Sequence, residues 1–224
     1  MRLLPVLLLA CAAIAAPART EDAPPCRNGL FPEYEGGFRM GTIGPGPRVH
    51  FHRDWPAGEC PHGDGCRERA YLVPGDAVLL AHAHGEWTCV WYSGTDRAFV
   101  GWLPAARIAV EPATTPDDFE GDWSTFHDTA SLQVRNLDDG RIAVTGAATW
   151  HGIAGNVNVG EVHGTGRPER NRVRIDEPGD GNGCTLWMER VGADLLVVHD
   201  NALCGGLNVR FDNVYRRTPP GTGD

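Results

Sequence analysis

Residues 70–103, with the sequence AYLVPGDAVLLAHAHGEWTCVWYSGTDRAFVGWL, decide the fold of the first half of the chain. Apolar runs rich in β-branched and aromatic side chains alternate with turn residues, a pattern typical of short antiparallel strands. The turn Pro74-Gly75-Asp76 separates two of these runs, because proline presets one backbone dihedral angle and glycine accepts a positive one. The stretch therefore predicts a small all-β domain.

The order of these segments resembles the second half of bacterial SH3-type domains. In both, a strand, a PGD turn, a strand, a tryptophan-containing strand and a GWL strand follow one another. The resemblance covers residues 49–110, so we place an SH3-like barrel at residues 48–111, after a Gly-rich extension of residues 19–47. Such domains usually serve as adaptors or as wall-facing binding modules, which implies binding rather than catalysis.

The strand that starts at Trp87 is apolar on both faces. Alternate residues of a strand point to opposite faces, so Trp87 and Cys89 lie on one face and Val90 on the other. A strand with one solvated face would alternate apolar with polar residues. We therefore expect both faces to be covered, one of them by residues 26–47, which would bury the groove that SH3-type domains use for ligands.

The second half of the chain predicts another all-β domain. Residues 112–118 have the composition of a short linker, and residues 119–217 contain eight short strand-like segments separated by turns. Such spacing favours an antiparallel eight-stranded β-barrel or sandwich. Gly121 and Trp123 form a G-x-W motif that resembles the first strand of lipocalin-like, calycin-type barrels, where the tryptophan closes the barrel base. Residues 218–224 are expected to be a disordered tail.

The N-terminus predicts export. Residues 1–18 combine Arg2, a short apolar run and small residues before a cleavage site near Ala18, as in a secretory signal peptide. Leu8 to Cys11 loosely resembles a lipobox, so a lipoprotein anchored at Cys11 is the alternative. No later stretch reaches the ~20 apolar residues of a membrane span. The protein is therefore expected to be secreted or periplasmic, without a transmembrane segment.

Six cysteines remain after signal peptide removal, an even number in an exported chain, and they predict three disulfides. Only two of the six follow the linker. If each domain closes its own disulfides, Cys184 pairs with Cys204.

The four cysteines before the linker allow three pairings, which the residues alone leave open. The resemblance to SH3-type domains implies Cys66 with Cys89, since similar proteins carry cysteines at these positions. Cys26 with Cys60 is then the remaining pair.

Composition excludes several functions. All 20 basic residues are arginine, so lysine Schiff bases and lysine-dependent phosphate loops are excluded. A formal net charge of −9 disfavours nucleic acid as a partner. Ser93, Ser124 and Ser131 lack a G-x-S-x-G context, and the paired acids neighbour turns. We expect no catalytic set and no cofactor, and the oligomeric state stays open.

Exposed aromatic residues are the natural contacts of a peptide or glycan groove, because they offer a large contact area at low entropic cost. The candidates for ligand binding are Trp55, Tyr92, Trp102, Trp150 and His151. Trp55 lies in a loop and is the best surface candidate. Trp150 and His151 are expected to form the mouth of the second barrel together with residues 200–213.

Two histidine pairs offer a weaker metal alternative. His50 and His52 lie two residues apart on one strand, as do His82 and His84, so each pair presents two imidazoles in one direction. The cysteines are committed to disulfides, however, and no carboxylate has the spacing of a third ligand. Ordinary polar surface is the preferred interpretation, and no metal is expected.

These features favour an exported, non-enzymatic binding protein of the bacterial envelope, with a wall component, a glycan, a peptide or an envelope protein as partner. One alternative is a carrier of a small apolar ligand inside the second barrel, and another is an inhibitor of a hydrolase such as lysozyme. The carrier requires an apolar cavity. The side chains that would fill such a cavity are Val144, Leu186, Leu196, Val198 and Phe211.

Overall fold

The computed structural model describes residues 24–94, 97–127, 129–178 and 183–219. Within these ranges the strands are accompanied only by three-residue 3-10 helices, at Phe31–Glu33, Asp64–Cys66, Ala105–Arg107 and Ile153–Gly155. The predicted all-β fold is confirmed. No helix in these ranges is long and apolar enough to cross a membrane. The predicted signal peptide, with Cys11, and residues 220–224 of the predicted tail lie outside the described residues.

The first domain is one antiparallel sheet. Its strands are β1 Arg39–Ile43, β2 Val49–His52, β3 Arg67–Leu72, β4 Ala77–His84, β5 Trp87–Ser93, β6 Ala98–Pro104 and β7 Ile108–Val110, in the order β3-β2-β6-β5-β4-β1-β7. The Gly-rich extension thus contributes β1, which pairs with β4 and β7. Gly41 weakens the strand signal of this segment, but a Cβ there would lie 2.9 Å from Ile108 Cγ2. The close approach of β1 and β7 therefore requires this glycine.

Strand β5 is buried on both faces, as its sequence predicts. Val90 packs into an apolar cluster formed within the first domain. Cys89 faces a second cluster, which includes the N-terminal segment, defined here as residues 24–38, and Val197 of the second domain. The cover of β5 is therefore shared between the N-terminal segment and the second domain.

The second domain is a closed antiparallel barrel, as predicted. Its strands are β8 Gly121–Ser124, β9 Ala130–Asn136, β10 Ile142–His151, β11 Val157–Gly166, β12 Arg172–Asp176, β13 Thr185–Val191, β14 Leu195–Asp200 and β15 Asn213–Arg217. They close in the order β10-β11-β12-β13-β14-β15-β8-β9. An eight-stranded barrel is just wide enough for side chains to fill its interior.

Apolar side chains fill the barrel interior. The residues expected to block a ligand cavity, Val144, Leu186, Leu196, Val198 and Phe211, are all fully buried in one core cluster. The apolar interior therefore gives the carrier alternative no support.

An arginine and a tryptophan close the base of this barrel. Trp123 is buried and donates its Nε1–H to the Phe119 carbonyl at 3.0 Å. The guanidinium of Arg190 lies 4.6 Å from the Trp123 ring centroid, and Arg217 lies at 4.5 Å. Burial, followed by repulsion from Arg217, lowers the pKa of Arg190 to about 10, so it stays charged at neutral pH.

Three disulfides join the six cysteines of the described ranges, and one predicted pair is confirmed. Cys184 pairs with Cys204, with a Cα–Cα distance of 4.5 Å. Cys204 lies in the loop that connects β14 to β15, and the disulfide ties this loop to Cys184, directly before β13.

The two pairs predicted for the first domain are wrong. The structure pairs Cys26 with Cys89 and Cys60 with Cys66, not Cys66 with Cys89. Cys89 lies on the face of β5 that the N-terminal segment covers, which brings Cys26 next to it. The loop before β3 folds back on itself through short-range backbone hydrogen bonds, and this brings Cys60 to Cys66.

Candidate functional site

The outer face of strands β12, β13 and β14 carries large polar and aromatic side chains because their alternate residues fill the barrel. Val173, Leu186 and Val198 point inward and are buried. Their neighbours Arg174, Trp187 and His199 must then point outward. The same alternation that builds the core thus places these three polar and aromatic side chains on one surface.

A groove lies between this surface and the N-terminal segment, with a volume of about 570 Å³. It is lined by Pro32, Glu33, Tyr34, Glu35, Phe38, Arg167, Glu169, Arg172, Val173, Arg174, Trp187, Met188, Glu189, Val197 and His199. The backbone N–H of Phe38 donates to Glu189 Oε1 at 3.0 Å and fixes the two sides of the groove to each other. The disulfide from Cys26 to Cys89 anchors the N-terminal segment at its other end.

Trp187 is the central side chain of the groove. Cross-strand pairing places it between Arg174 and His199. The His199 ring is stacked on the indole at a centroid distance of 5.2 Å, and the Arg174 guanidinium lies 5.7 Å from the indole centroid. Trp187 is nevertheless 41% exposed. An arginine, an indole and an imidazole therefore form a row that a ligand in the groove can reach.

A buried ionic network orients His199. Its Nδ1 donates to Asp212 Oδ1 at 2.8 Å, and Asp212 also accepts the backbone N–H of Asp200 at 2.7 Å. Arg210 Nε donates to Asp212 Oδ2 at 2.6 Å and lies 3.2 Å from Asp200 Oδ1. The side chains of both aspartates are almost fully buried. His199 therefore presents its second ring nitrogen, Nε2, in a fixed orientation.

Glu33, His199 and Asp212 place possible metal-ligand atoms within 4.8 Å of one another. Arg210 already supplies a cation to two of them, since its Nη2 also lies 3.6 Å from Glu33 Oε1. Burial alone would lower the pKa of Arg210, but attraction to Asp212 and hydrogen bonding with it, aided by Asp200, raise it overall. The geometry favours an ion-pair network over a metal centre.

The charges of the groove differ between its two sides. The N-terminal side contributes Glu33 and Glu35. The barrel side contributes the three arginines Arg167, Arg172 and Arg174, against Glu169 and Glu189. Arg172 pairs with Glu189 at 3.0 Å and Arg174 pairs with Asp176 at 2.9 Å. The barrel side of the groove lining therefore carries one more arginine than acid, and the N-terminal side is acidic.

The aromatic residues predicted for ligand binding in the first domain do not meet at one site. Trp55 is 61% exposed in its loop, outside the groove. Tyr92 is half-buried and lines another cavity, of about 860 Å³, along the seam between the two domains. Trp102 is fully buried in the core, so the prediction of a ligand contact at Trp102 is wrong. Its ring projects from the face of the sheet into an apolar cluster and packs against His82 at a centroid distance of 5.2 Å, which leaves it no path to solvent.

The two candidates in the barrel lie together but away from the groove. Trp150 is half-buried against the barrel core, and His151 is exposed at the end of β10. The start of β11, which follows this loop, runs beside residues 201–209, because Gly206 N–H donates to the Val159 carbonyl at 3.1 Å. Trp150 and His151 therefore lie near residues 201–209, at the end of a barrel whose interior is filled by side chains.

The four histidines of the metal alternative do not form a cluster. The Nδ1 atoms of His50 and His52 lie 3.0 and 2.7 Å from the carbonyl oxygens of Glu68 and Pro61, respectively. On the neighbouring region of the sheet, His82 packs against Trp102 at a centroid distance of 5.2 Å. Hydrogen bonding accounts for the rings of His50 and His52. His82 and His84 both pack against Trp102, and the ring nitrogens of His82 are buried without a close hydrogen-bond partner among the described residues.

His82 predicts a pH dependence of stability. Burial lowers its pKa, repulsion from His84 lowers it further, and the Pro24 carbonyl only partly opposes these effects. The unfolded chain therefore binds a proton at higher pH than the folded protein, so stability falls as pH decreases below about 6.5. Urea unfolding at pH 7.5 and 5.0 should show a smaller pH-dependent loss for His82→Phe than for wild type. An equal loss in both would contradict this assignment, and the exposed His127→Gln serves as the control.

The alternation of inward and outward residues in β13 contains one sequence signal for the groove. In β13 the inward positions are apolar, so Trp187 at an outward position is an unusually large aromatic residue for a solvated face. The pairing of His199 with Asp212 and the approach of Glu33 depend on long-range contacts, and no local pattern indicates them.

Comparison with protein-family models, with curated proteins and with solved structures found no match for this chain.

Proposed function

We propose that this protein is an exported, non-enzymatic binding protein of the bacterial envelope whose groove binds a short zwitterionic peptide, as found in cell-wall stem peptides. The observation that carries the proposal is the exposed Trp187, held between Arg174 and His199 in a groove of about 570 Å³. Small-ligand sites typically have volumes of about 300–1,000 Å³.

The opposite charges of the two sides suit a zwitterionic ligand. Glu33 and Glu35 attract amino groups. Arg172 and Arg174 pair with Glu189 and Asp176, but their side chains stay 51% and 60% exposed, so they can also donate charge-assisted hydrogen bonds to a ligand carboxylate. The indole of Trp187 adds apolar contact area and an N–H donor. A peptide with free amino and carboxylate groups offers both charges, whereas a neutral glycan offers neither.

Other features support an exported binding protein. Three disulfides are consistent with an oxidising compartment, and the signal peptide expected at residues 1–18 would deliver the chain there. The SH3-like pattern of residues 49–110 and the G-x-W motif at Gly121 resemble families of binding proteins.

The proposal predicts that Trp187 contributes strongly to affinity. Trp187→Ala should weaken binding of a disaccharide-tetrapeptide by about tenfold or more, because the variant removes the largest exposed contact in the groove. Isothermal titration calorimetry measures the effect. Trp55→Ala, which changes an exposed tryptophan outside the groove, should bind like wild type.

A neutral oligosaccharide separates the peptide from the glycan part of this ligand. Chitotetraose should bind far more weakly than the disaccharide-tetrapeptide. Equal affinity for both ligands, or equal affinity of wild type and Trp187→Ala for the tetrapeptide, would contradict the proposal.

A further inference from the structure

A second surface of the barrel is apolar and exposed. It consists of five side chains on the segment from β10 into β11 and on the loop between β14 and β15, and we call it the apolar tip: Ile153, Val157, Val159, Leu203 and Leu207. Each is between 50% and 95% exposed. They contribute little to the core, so the fold does not account for their apolar character.

The two segments that form the apolar tip are fixed to each other. Asn158 Nδ2 donates to the Leu207 carbonyl at 2.6 Å, and Gly206 N–H donates to the Val159 carbonyl at 3.1 Å. A Cβ on Gly160 would lie 2.2 Å from the Cys204 carbonyl oxygen, so the backbones pack directly together. Cys204 is also held by its disulfide to Cys184. The tip is therefore preorganised, which lowers the entropic cost of binding a partner.

The apolar tip lacks charge in an acidic protein. Residues 151–160 and 201–209 contain no Asp, Glu, Lys or Arg, whereas the chain has a formal net charge of −9. An acidic protein is repelled by a second copy of itself and by anionic membranes, and it is attracted by a basic partner.

The size of the apolar tip argues for a transient contact and against a permanent interface, including a stable dimer. A Val, Leu or Ile side chain exposes roughly 60–120 Å² when fully accessible, so the five exposed portions sum to roughly 200–400 Å². A standard interface needs about 800 Å² on each partner. Ile153 is 95% exposed and Leu207 is 78% exposed, so the tip protrudes and buries more of its area in a concave cleft than against another convex surface.

We infer that the apolar tip inserts into an apolar cleft of a basic protein partner. This contact goes beyond the proposed peptide binding and does not depend on it, because the tip and the groove share no residue. Long-range charge attraction sets the association rate, and burial of Ile153 and Leu207 sets the dissociation rate.

The partner is tested first in the organism's own envelope, with the full chain. A photo-reactive amino acid at position 153 should give one discrete cross-linked protein, and the same label at the exposed Val110 of the first domain should not. The purified cross-linked protein should be basic. Absence of a discrete adduct at position 153, an equal adduct at position 110, or an acidic partner would overturn the inference.

The purified partner then tests the mechanism by surface plasmon resonance. Ile153→Ser with Leu207→Ser should raise the dissociation rate about tenfold or more, while the association rate changes little. Higher salt should lower the association rate. The control Val73→Ser with Val110→Ser changes two exposed apolar residues elsewhere and should bind like wild type.

Two further measurements examine other occupants of the tip. Sedimentation velocity reports self-association, and flotation with vesicles of phosphatidylcholine and phosphatidylglycerol reports lipid binding. Either interaction, if lost in Ile153→Ser with Leu207→Ser, would assign the tip to that occupant and overturn the inference. Since the groove is unchanged in this variant, its affinity for the disaccharide-tetrapeptide should equal that of wild type.

Discussion

We expect Arg190→Ala to lower the free energy of unfolding by about 3–5 kcal/mol. Arg190 is 2% exposed. Its Nη1, Nη2 and Nε atoms donate to the carbonyl oxygens of Leu195, Ala193 and Asp118, respectively, at 2.6–2.9 Å. Alanine leaves these three acceptors without their donors and opens a space above Trp123. Differential scanning calorimetry should show a Tm about 10 °C lower than that of wild type.

Arg135→Ala is the matched control for this variant. Arg135 makes an exposed ion pair with Asp122 at 2.7 Å, and surface pairs contribute little to stability. We expect a change within about 0.5 kcal/mol. If Arg190→Ala were no more destabilising than Arg135→Ala, the closure of the barrel base by Arg190 would be wrong.

Removing the disulfide between Cys26 and Cys89 should have an equally large effect. Its cysteines are 63 residues apart, and the chain-entropy relation for a loop of that length gives a loss of about 4 kcal/mol. Denaturant unfolding of Cys26→Ser with Cys89→Ser measures it. The same variant also frees one end of the N-terminal segment, so affinity for the disaccharide-tetrapeptide should fall.

The disulfide between Cys60 and Cys66 provides the control. Its cysteines are 6 residues apart, for which the same relation gives about 2 kcal/mol. This disulfide lies in a loop outside the groove, so Cys60→Ser with Cys66→Ser should keep the wild-type affinity. An equal loss of affinity in both double variants would show that the N-terminal segment has no specific role in binding.

Strands were predictable because their signals are local. The spacing of short strands in residues 119–217 predicts an eight-stranded barrel or sandwich, of which the structure forms the barrel. The two apolar faces of β5 predict cover on both sides, which the structure has. Strand β1 was missed because Gly41 interrupts its pattern. That glycine is required by the approach of Ile108, a residue distant in sequence.

The candidate groove was not predictable in the same way. It combines the N-terminal segment with the outer face of three barrel strands, and the alignment of Trp187 with His199 depends on strand register. The cysteine pairing failed for a related reason. Resemblance suggested Cys66 for Cys89, but the path of the N-terminal segment over β5 decides the partner.

The central claim is that the groove around Trp187 binds the ligand. The indole N–H signals of the seven tryptophans, assigned in a ¹⁵N-correlated NMR spectrum, test it most directly. Titration with the disaccharide-tetrapeptide should shift the Trp187 indole signal progressively to saturation and leave that of Trp55 unchanged. A saturable shift of Trp55 with an unmoved Trp187 signal, or no shift of any indole signal, would contradict the groove as the binding site.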